Sequence, residues 1–177
     1  MQEAEVSLRV ALYYITNYLT KNDVKVSLDG AHIKTGDMVH FDIYGFLSAN
    51  NCRKVSGAVD GWQGIYEVVG YNSKIVISST PGIGDVNITA TDGTLLYVES
   101  KKGKGKNKSN SEYPLMREAI GQLMTGCQLS DNVIPVVAVP YSDKSYELAC
   151  RWSQLKQMQM VGIRFMLVCA DGDLKII

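Results

Sequence analysis

Three charged residues near the middle of the chain, Asp85, Glu99 and Lys101, have the types and spacing needed for phosphate chemistry. Glu99 and Lys101 lie two apart at the end of a β-prone run, so both side chains should leave the same face of a strand. If Asp85 joins them, two carboxylates face each other and repel unless a cation lies between them. Carboxylate oxygens select Mg²⁺ or Mn²⁺, and such an ion polarises a phosphodiester and makes water a nucleophile at neutral pH. Lys101 would orient that water or offset charge in the transition state.

The position of Asp85 depends on the turn that precedes the strand. A two-residue loop would put Asp85 opposite Ser100, on the wrong face of the sheet. A three-residue loop over 91–93, with its glycine in the left-handed conformation, pairs Asp85 with Glu99 and brings their Cβ atoms to about 5 Å. An irregular backbone over 82–84, at the start of the first strand of the hairpin, could also place Asp85 on the same face as Glu99. The sequence leaves these registers open.

Gly84-Asp85 followed by Glu99-Ser100-Lys101 resembles the signature of the PD-(D/E)xK, or restriction-endonuclease-like, nuclease superfamily. The family pattern has a Pro or a small residue before the Asp, then a hairpin, then Glu-x-Lys, and Gly84 takes the place of the Pro. The resemblance implies an αβββαβ core with a central mixed sheet flanked by helices. It also implies a metal site formed by Asp85, Glu99 and the backbone carbonyl of Ser100.

Many members of this superfamily place a Gln beside the active site on the helix that follows the motif, and Gln122 matches that position. The residues give independent support. Gln122 shares a helical face with Leu115, Ala119 and Gly126, and a polar amide on a stripe that otherwise faces the core requires a partner. We therefore expect Gln122 to support the catalytic site.

Members also often carry a Glu on the first helix, and here the sequence offers two. Glu5 is the first choice as a further metal ligand, and Glu3 is the alternative. The resemblance covers roughly residues 3–139.

A lysine-rich segment follows the motif directly. Five of the 18 basic residues fall within 101–108 with no acid among them, although the formal net charge of the chain is zero. Next to a phosphate-cleaving site, these lysines would contact the nucleic-acid backbone without reading sequence. The predicted contacts are Lys102, Lys104, Lys106 and Lys108. The spacing of a P-loop is absent, which argues against ATP binding by that route.

The composition is that of an ordinary globular protein, with 46% apolar and 20% charged residues in 177. This length fits a single domain over 1–177. No apolar run is long enough to cross a bilayer and the acidic start lacks the features of a secretion signal, so we expect a cytoplasmic protein. The four cysteines lack metal-ligand spacing and are expected to be reduced thiols, and the two histidines lack a third zinc ligand.

Hydrophobic periodicity predicts helices packed on a mixed sheet. The predicted elements are a helix over 3–19, strands over 24–28 and 38–47, an irregular segment over 49–64, strands over 65–69 and 74–78, the hairpin around 92–93, a helix over 112–128 with Ser111 as N-cap and Pro114 in its first turn, a buried strand over 133–139, a helix over 141–160, and a closing hairpin over 163–169 and 174–177.

Together these features predict a Mg²⁺- or Mn²⁺-dependent nuclease that cleaves DNA, with RNA as the open alternative. A protein of this size has little surface for base readout, so structure-selective or weakly sequence-specific cleavage is expected. It would act as a homodimer or as a subunit of a larger nucleic-acid-processing assembly. Two alternatives stay open: a catalytically inactive module of the same fold that serves in nucleic-acid binding or assembly, and a protein that binds a small anionic ligand at the lysine segment.

Overall fold

A computed structural model describes residues 1–103 and 112–177. Over these residues the helices are α1 (Glu3–Thr16), α2 (Gly30–Ile33), α3 (Ile43–Ala49), α4 (Glu112–Gly126), α5 (Asp143–Ser153) and α6 (Lys156–Val161). The strands are β1 (Val24–Ser27), β2 (Lys34–Thr35), β3 (Met38–Val39), β4 (Cys52–Ser56), β5 (Gly64–Val68), β6 (Lys74–Ser78), β7 (Val86–Thr89), β8 (Leu95–Ser100), β9 (Val133–Pro140), β10 (Arg164–Val168) and β11 (Leu174–Ile176).

Nine of these strands form one sheet in the order β11-β10-β9-β8-β7-β1-β6-β5-β4, and β2 and β3 form a separate two-stranded ribbon. The sheet is mixed. Strand β8 runs parallel to β9, β9 parallel to β10, and β1 parallel to β6, whereas the other neighbours are antiparallel. The predicted α/β architecture with a large mixed sheet flanked by helices is confirmed.

The middle of the sheet is buried on both faces because helices cover each side. Strand β9 shows this most clearly. Val136 and Ala138 belong to the core beneath α1, and Val137 and Val139 belong to a second core beneath α4 and α5. Successive side chains of a strand point to opposite faces, so a continuous apolar run is what two-sided burial requires.

The predicted strand over 38–47 is wrong beyond its first two residues, because the chain turns into helix α3. Asp42 caps that helix, and its Oδ1 accepts a hydrogen bond of 2.9 Å from the Gly45 N–H. Ile43 and Leu47 are four apart and both are buried, so the β-prone residues between them pack on a helical face instead. The N-cap interaction decides the structure here.

Two other predicted elements also need correction. The segment 49–64, expected to be irregular, contains strand β4. The single helix expected over 141–160 is divided into α5 and α6, because a tight i to i−3 hydrogen bond of 3.0 Å from the Leu155 N–H to the Trp152 carbonyl ends α5. The N-cap predicted at Ser111 lies outside the described residues, and Pro114 lies in the first turn of α4 as predicted.

The hairpin β7–β8 has the three-residue loop over 91–93. Thr89 is paired with Leu95, and the Ala90 N–H donates to the Thr94 carbonyl at 2.8 Å. Gly93 has a φ of 89°, the left-handed conformation that this loop needs. The sequence left both a two-residue and a three-residue loop open, and the three-residue loop is the one that pairs Asp85 with Glu99.

Replacement of Gly93 by Ala should destabilise the protein by about 1 kcal/mol, because an L-residue with a side chain is strained at positive φ. Gly121→Ala is the matched control. It places the same methyl group inside helix α4, where nothing lies within 4 Å of the added Cβ, and should stabilise the protein by about 0.5–1 kcal/mol. Urea unfolding measures both, and a Gly93→Ala protein as stable as wild type would contradict the assigned turn.

Candidate active site

Asp85 lies directly before β7, where the hairpin opens, and the register of the two strands places it opposite Glu99. Its N–H donates to the Val98 carbonyl at 2.7 Å, and its Oδ2 accepts a hydrogen bond of 2.8 Å from the Ser100 N–H. The backbone and the side chain of Asp85 are therefore both held against β8. The carboxylate is fixed at the end of the sheet before any ligand arrives.

Gly84 allows this close approach. Its φ is 65°, and a Cβ added at this position would lie 2.7 Å from the Val98 carbonyl oxygen. A side chain would have to push the segment away from β8, and the hydrogen bonds of Asp85 would be lost. This gives a physical reason for a glycine immediately before the acidic residue.

Lys101 is enclosed at the same end of the sheet and is only 4% exposed. Its Nζ lies 3.0 Å from Glu99 Oε1, 3.3 Å from Glu118 Oε1 and 3.9 Å from Glu3 Oε1. One ammonium group is thus shared by three carboxylates, and the carboxylate of Asp85 is close by. Negative charge exceeds positive charge in this cluster.

The pKa values reflect that excess. Burial, and then the charge of Glu99, raise the pKa of Asp85 to about 7, although the Ser100 N–H works in the opposite direction. Burial also raises the pKa of Glu99 above its ordinary value, and the hydrogen bond and charge of Lys101 oppose this shift. For Lys101, burial alone would lower the pKa, but the hydrogen bond to Glu99 and the nearby carboxylates raise it. Lys101 therefore stays protonated.

The donor set around Asp85 and Glu99 suits a hard divalent cation. In a strand the N–H and C=O of one residue point to the same side, so the Ser100 carbonyl faces the side on which its N–H meets Asp85. The donors are all oxygen, and a cation would relieve the repulsion that raises the Asp85 pKa. Within residues 1–103 and 112–177, no three His, Cys, Asp or Glu side chains converge closely enough to hold a metal ion by themselves. An ion here would need the Ser100 carbonyl and water in addition.

A cleft of about 400 Å³ opens beside these groups and is lined by Asp85, Glu99 and Gln122. Its other wall consists of loop residues from 27–30 and 79–84, which belong to the chain between β1 and β7. Gln122 lies on the wall of the cleft beside both carboxylates, but it is exposed, so the predicted core-facing stripe is wrong: the buried residues of α4 are Met116, Ala119 and Leu123. Nothing in the residue pattern indicated that the two loops would form the opposite wall.

Of the two acidic residues considered on α1, the structure places Glu3 in the cluster and Glu5 elsewhere. Glu5 Oε1 accepts a hydrogen bond of 3.0 Å from Arg9 Nε, one turn along the same helix. Glu3 faces Lys101 and lies 3.5 Å from His32 Nδ1. Residues two apart on a helix point in roughly opposite directions. The first choice, Glu5, is therefore corrected in favour of Glu3.

Glu118 was missed by the sequence reasoning, although a signal was present. It lies four residues before Gln122 on α4, so the two side chains share one helical face. Of the predicted nucleic-acid contacts, Lys102 is exposed just beyond β8, whereas Lys104, Lys106 and Lys108 lie outside the described residues. The four cysteines are free and partly buried.

No family model, curated protein or solved structure matches the chain. Among the helices of the described residues, none is both long and apolar enough to cross a membrane. The geometry of the cluster is therefore the main guide to its chemistry.

The pH dependence of stability tests the environment of Asp85. Its pKa in the folded protein, about 7, lies above the ordinary value of 3.8, so the folded state loses stability as the pH rises from about 4 to about 7. Asp85→Asn keeps an acceptor for the Ser100 N–H but has no carboxyl group to ionise, so it should not show this pH-dependent loss of stability. In EDTA the variant should be more stable than wild type above pH 7, by on the order of 3 kcal/mol, and the gain should vanish near pH 4.

Urea unfolding across this pH range is the measurement, and Asp92→Asn is the control. The pKa of Asp92 is lowered by the hydrogen bond from the Thr94 N–H, so its replacement should give no gain at neutral pH. Identical pH profiles for wild type and Asp85→Asn would mean that the Asp85 carboxylate is solvated.

Proposed function

We propose that the chain is a metal-dependent nuclease of the restriction-endonuclease-like kind that hydrolyses phosphodiester bonds of DNA. The observation that carries this proposal is the juxtaposition of Asp85 and Glu99 across the hairpin, with Lys101 Nζ 3.0 Å from Glu99 Oε1. Asp85 and Glu99 line the cleft, and Lys101 lies buried directly behind Glu99, so three groups with complementary roles in phosphate chemistry are close together.

The order of the elements supports the proposal. The series α1, β1, β7, β8, α4, β9 has the αβββαβ order, and its strands lie side by side as β1-β7-β8-β9. The first two pairs are antiparallel and the last is parallel. Residues 28–85 then form an insertion between the first and second strands of the core.

Asp85, Glu99 and the Ser100 carbonyl are the groups that would hold Mg²⁺ or Mn²⁺. When bound, such an ion supplies Lewis-acid activation of the phosphodiester and lowers the pKa of water. The Ser100 N–H fixes the Asp85 carboxylate, and Lys101 fixes that of Glu99, so both ligands are oriented in advance.

Lys101 acts as a cation and hydrogen-bond donor in this scheme. Its raised pKa keeps it protonated at neutral pH, so it cannot serve as the base that removes a proton from water. Its ammonium group can instead donate to a phosphate oxygen or to the attacking water and offset the charge that develops there. Gln122, on the cleft wall, can donate its amide to the same phosphate.

The shape and polarity of the cleft favour recognition of backbone over bases. Its other wall combines small and hydroxyl-bearing residues (Ser27, Gly30, Ser79, Thr80, Gly82) with Leu28, Pro81 and one carboxylate, that of Asp29, which caps α2. Small and hydroxyl-bearing residues contact phosphate and sugar, which position a strand without reading its sequence. Structure-selective or weakly sequence-specific cleavage of DNA is the activity that fits.

A catalytically inactive member of the same fold is the second candidate, and one observation favours it. Lys101 is 4% exposed and already engaged with Glu99 and Glu118, which is also what a purely structural buried ion pair requires. Such a protein would bind nucleic acid or assemble with partners but would not cleave.

Plasmid nicking separates the two candidates. Wild type should nick supercoiled DNA with Mg²⁺ or Mn²⁺ and not with EDTA. Asp85→Asn and Lys101→Met should each lose at least about a hundredfold in rate, since each removes several kcal/mol of transition-state stabilisation. Lys102→Met, which alters the exposed neighbouring lysine, should change the rate only modestly. Absence of metal-dependent nicking by wild type would favour the inactive alternative, and full activity in Lys101→Met would exclude Lys101 from the cleavage site.

Two variants on α1 test which acid completes the metal site. Glu3→Gln should weaken Mn²⁺ binding by about tenfold to a hundredfold, because it removes a carboxylate from the cluster. Glu5→Gln removes the same charge from the same helix at a residue that faces Arg9, and should leave the affinity unchanged. Titration calorimetry with Mn²⁺ measures both, and the anomalous signal of a Mn²⁺-soaked crystal would locate the ion. Equal losses of Mn²⁺ affinity in the two variants would mean that Glu3 affects the ion only through its long-range charge.

A further inference from the structure

A second concave surface lies on the outer side of helix α4, away from the carboxylate cleft. This groove has a volume of about 510 Å³, within the range of sites that bind small organic groups. It runs between α4 and the α5–α6 corner. Its main lining residues are Tyr113, Arg117, Gly121, Trp152, Leu155 and Met158.

Tyr113 is the aromatic residue of the groove that is available for stacking, because Trp152 beneath it is only 8% exposed. The rings of Tyr113 and Trp152 meet edge to face with centroids 5.4 Å apart, and the Tyr113 side chain is 41% exposed. Trp152 in turn packs on Phe165 in the core, which holds the pair rigid. Leu155 and Met158 supply an apolar floor on the other side. A flat aromatic ring would bury apolar area on both sides here.

Arg117 gives the groove a positive charge that the rest of the described molecule does not neutralise. Its guanidinium lies 5.4 Å from the centre of the Tyr113 ring. The salt bridges found within residues 1–103 and 112–177 do not include Arg117, although Arg9, Arg53 and Arg151 are all paired with glutamates. A guanidinium held by an aromatic ring and free of carboxylates is well placed to bind a phosphate.

Gly121 keeps the groove open. It lies inside helix α4, where Gly costs about 1 kcal/mol relative to Ala, and its φ is not in the left-handed region. Nothing lies within 4 Å of a Cβ added there, so packing against the protein does not require the small residue. Any larger side chain at this position would project into the groove.

The groove and the cleft lie on adjacent sides of the same helix. Arg117 and Gly121 line the groove, and the residues that follow them directly, Glu118 and Gln122, face Lys101 and the cleft. Consecutive helical residues differ by about 100°, and a helix with its side chains is roughly 10 Å across. A strand held in the cleft would therefore reach the groove by passing around one side of α4.

We propose that the groove binds an unstacked nucleobase of a single-stranded segment, with its ring against Tyr113 and a neighbouring phosphate on Arg117. The proposed nuclease activity defines the substrate here, so the inference rests on that function. It narrows the substrate class to DNA that carries unpaired nucleotides close to the cleaved bond. Branched, flapped and single-stranded DNA have such nucleotides, and intact duplex does not.

Charge and shape select this occupant over an apolar helix of a second copy. An apolar helix would bury Arg117 without offering it an anion, at the cost of desolvating the charge. A nucleotide brings a flat ring and a phosphate together, so it satisfies both the Tyr113 ring and the guanidinium.

Binding in EDTA tests the groove without cleavage. Gly121→Leu should fill the groove while keeping a good helix former in α4, and should weaken the binding of a short fluorescein-labelled oligothymidine by about tenfold or more in fluorescence anisotropy. Gly126→Leu is the matched control, because it makes the same change in the same helix, also in open space, outside the groove. Its affinity should equal that of wild type.

Arg117→Gln, a change of an exposed side chain, provides a second test should Gly121→Leu fail to fold. It should reduce the slope of log affinity against log salt by about 0.7, the value for one phosphate contact on a single strand. Equal affinities for Gly121→Leu and Gly126→Leu, or an unchanged salt slope in Arg117→Gln, would overturn the proposal. So would a dimer that Gly121→Leu dissociates while oligothymidine binding is unchanged, since a second copy would then occupy the groove.

These results are independent of the nicking assay. If the protein binds oligothymidine through the groove but never nicks DNA, the nuclease proposal is contradicted and the groove proposal is supported. If the protein nicks DNA with a metal ion but Gly121→Leu leaves its affinity for oligothymidine unchanged, the nuclease proposal is supported and the groove proposal is contradicted.

Discussion

Two short hydrogen bonds between Asp85 and β8 hold the candidate site together. One joins the Asp85 N–H to the Val98 carbonyl at 2.7 Å, and the other joins the Ser100 N–H to Asp85 Oδ2 at 2.8 Å. They fix an acidic side chain beside a second one, against their mutual repulsion, at a place that water reaches poorly. The left-handed glycine before Asp85 and the left-handed glycine of the hairpin turn both serve this one arrangement. A slip of one residue in the hairpin would turn Asp85 to the other face of the sheet.

The electrostatic balance of the cluster follows from that constraint. A single ammonium, that of Lys101, serves the carboxylates of Glu3, Glu99 and Glu118, with Asp85 nearby. Burial, and then the charge of Glu99, raise the pKa of Asp85 to about 7, because one ammonium compensates these carboxylates only in part. The protein maintains an unfavourable local charge distribution at the mouth of a cleft. Perturbed pKa values of this kind are typical of functional sites.

Patterns local in sequence were the most reliable guide to this structure. The first helix, the hairpin around Gly93 and the buried strand β9 could be predicted because periodicity and turn chemistry act over a few neighbouring residues. The segment with Ile43 and Leu47 could not, because one capping aspartate turned β-prone residues into a helix. The partners of Lys101 were only partly predictable. Glu99 follows from strand alternation, whereas the choice between Glu3 and Glu5 depends on how α1 is rotated against the sheet, and that is set by tertiary packing.

The long segment between β1 and β7 begins and ends at one point, where the Ser27 N–H donates to the Asp85 carbonyl at 2.8 Å. Its exit and its entry are thus in direct contact, so its internal length places no demand on the spacing of β1 and β7. Strand β6 from this segment covers the outer edge of β1, which would otherwise present unpaired main-chain groups. The segment also supplies Ile43, Leu47 and Ile75 to the core beneath α1. A replacement would therefore need both a covering strand and an equivalent apolar face, and with these it could reshape the wall of the cleft while leaving the two carboxylates where they are.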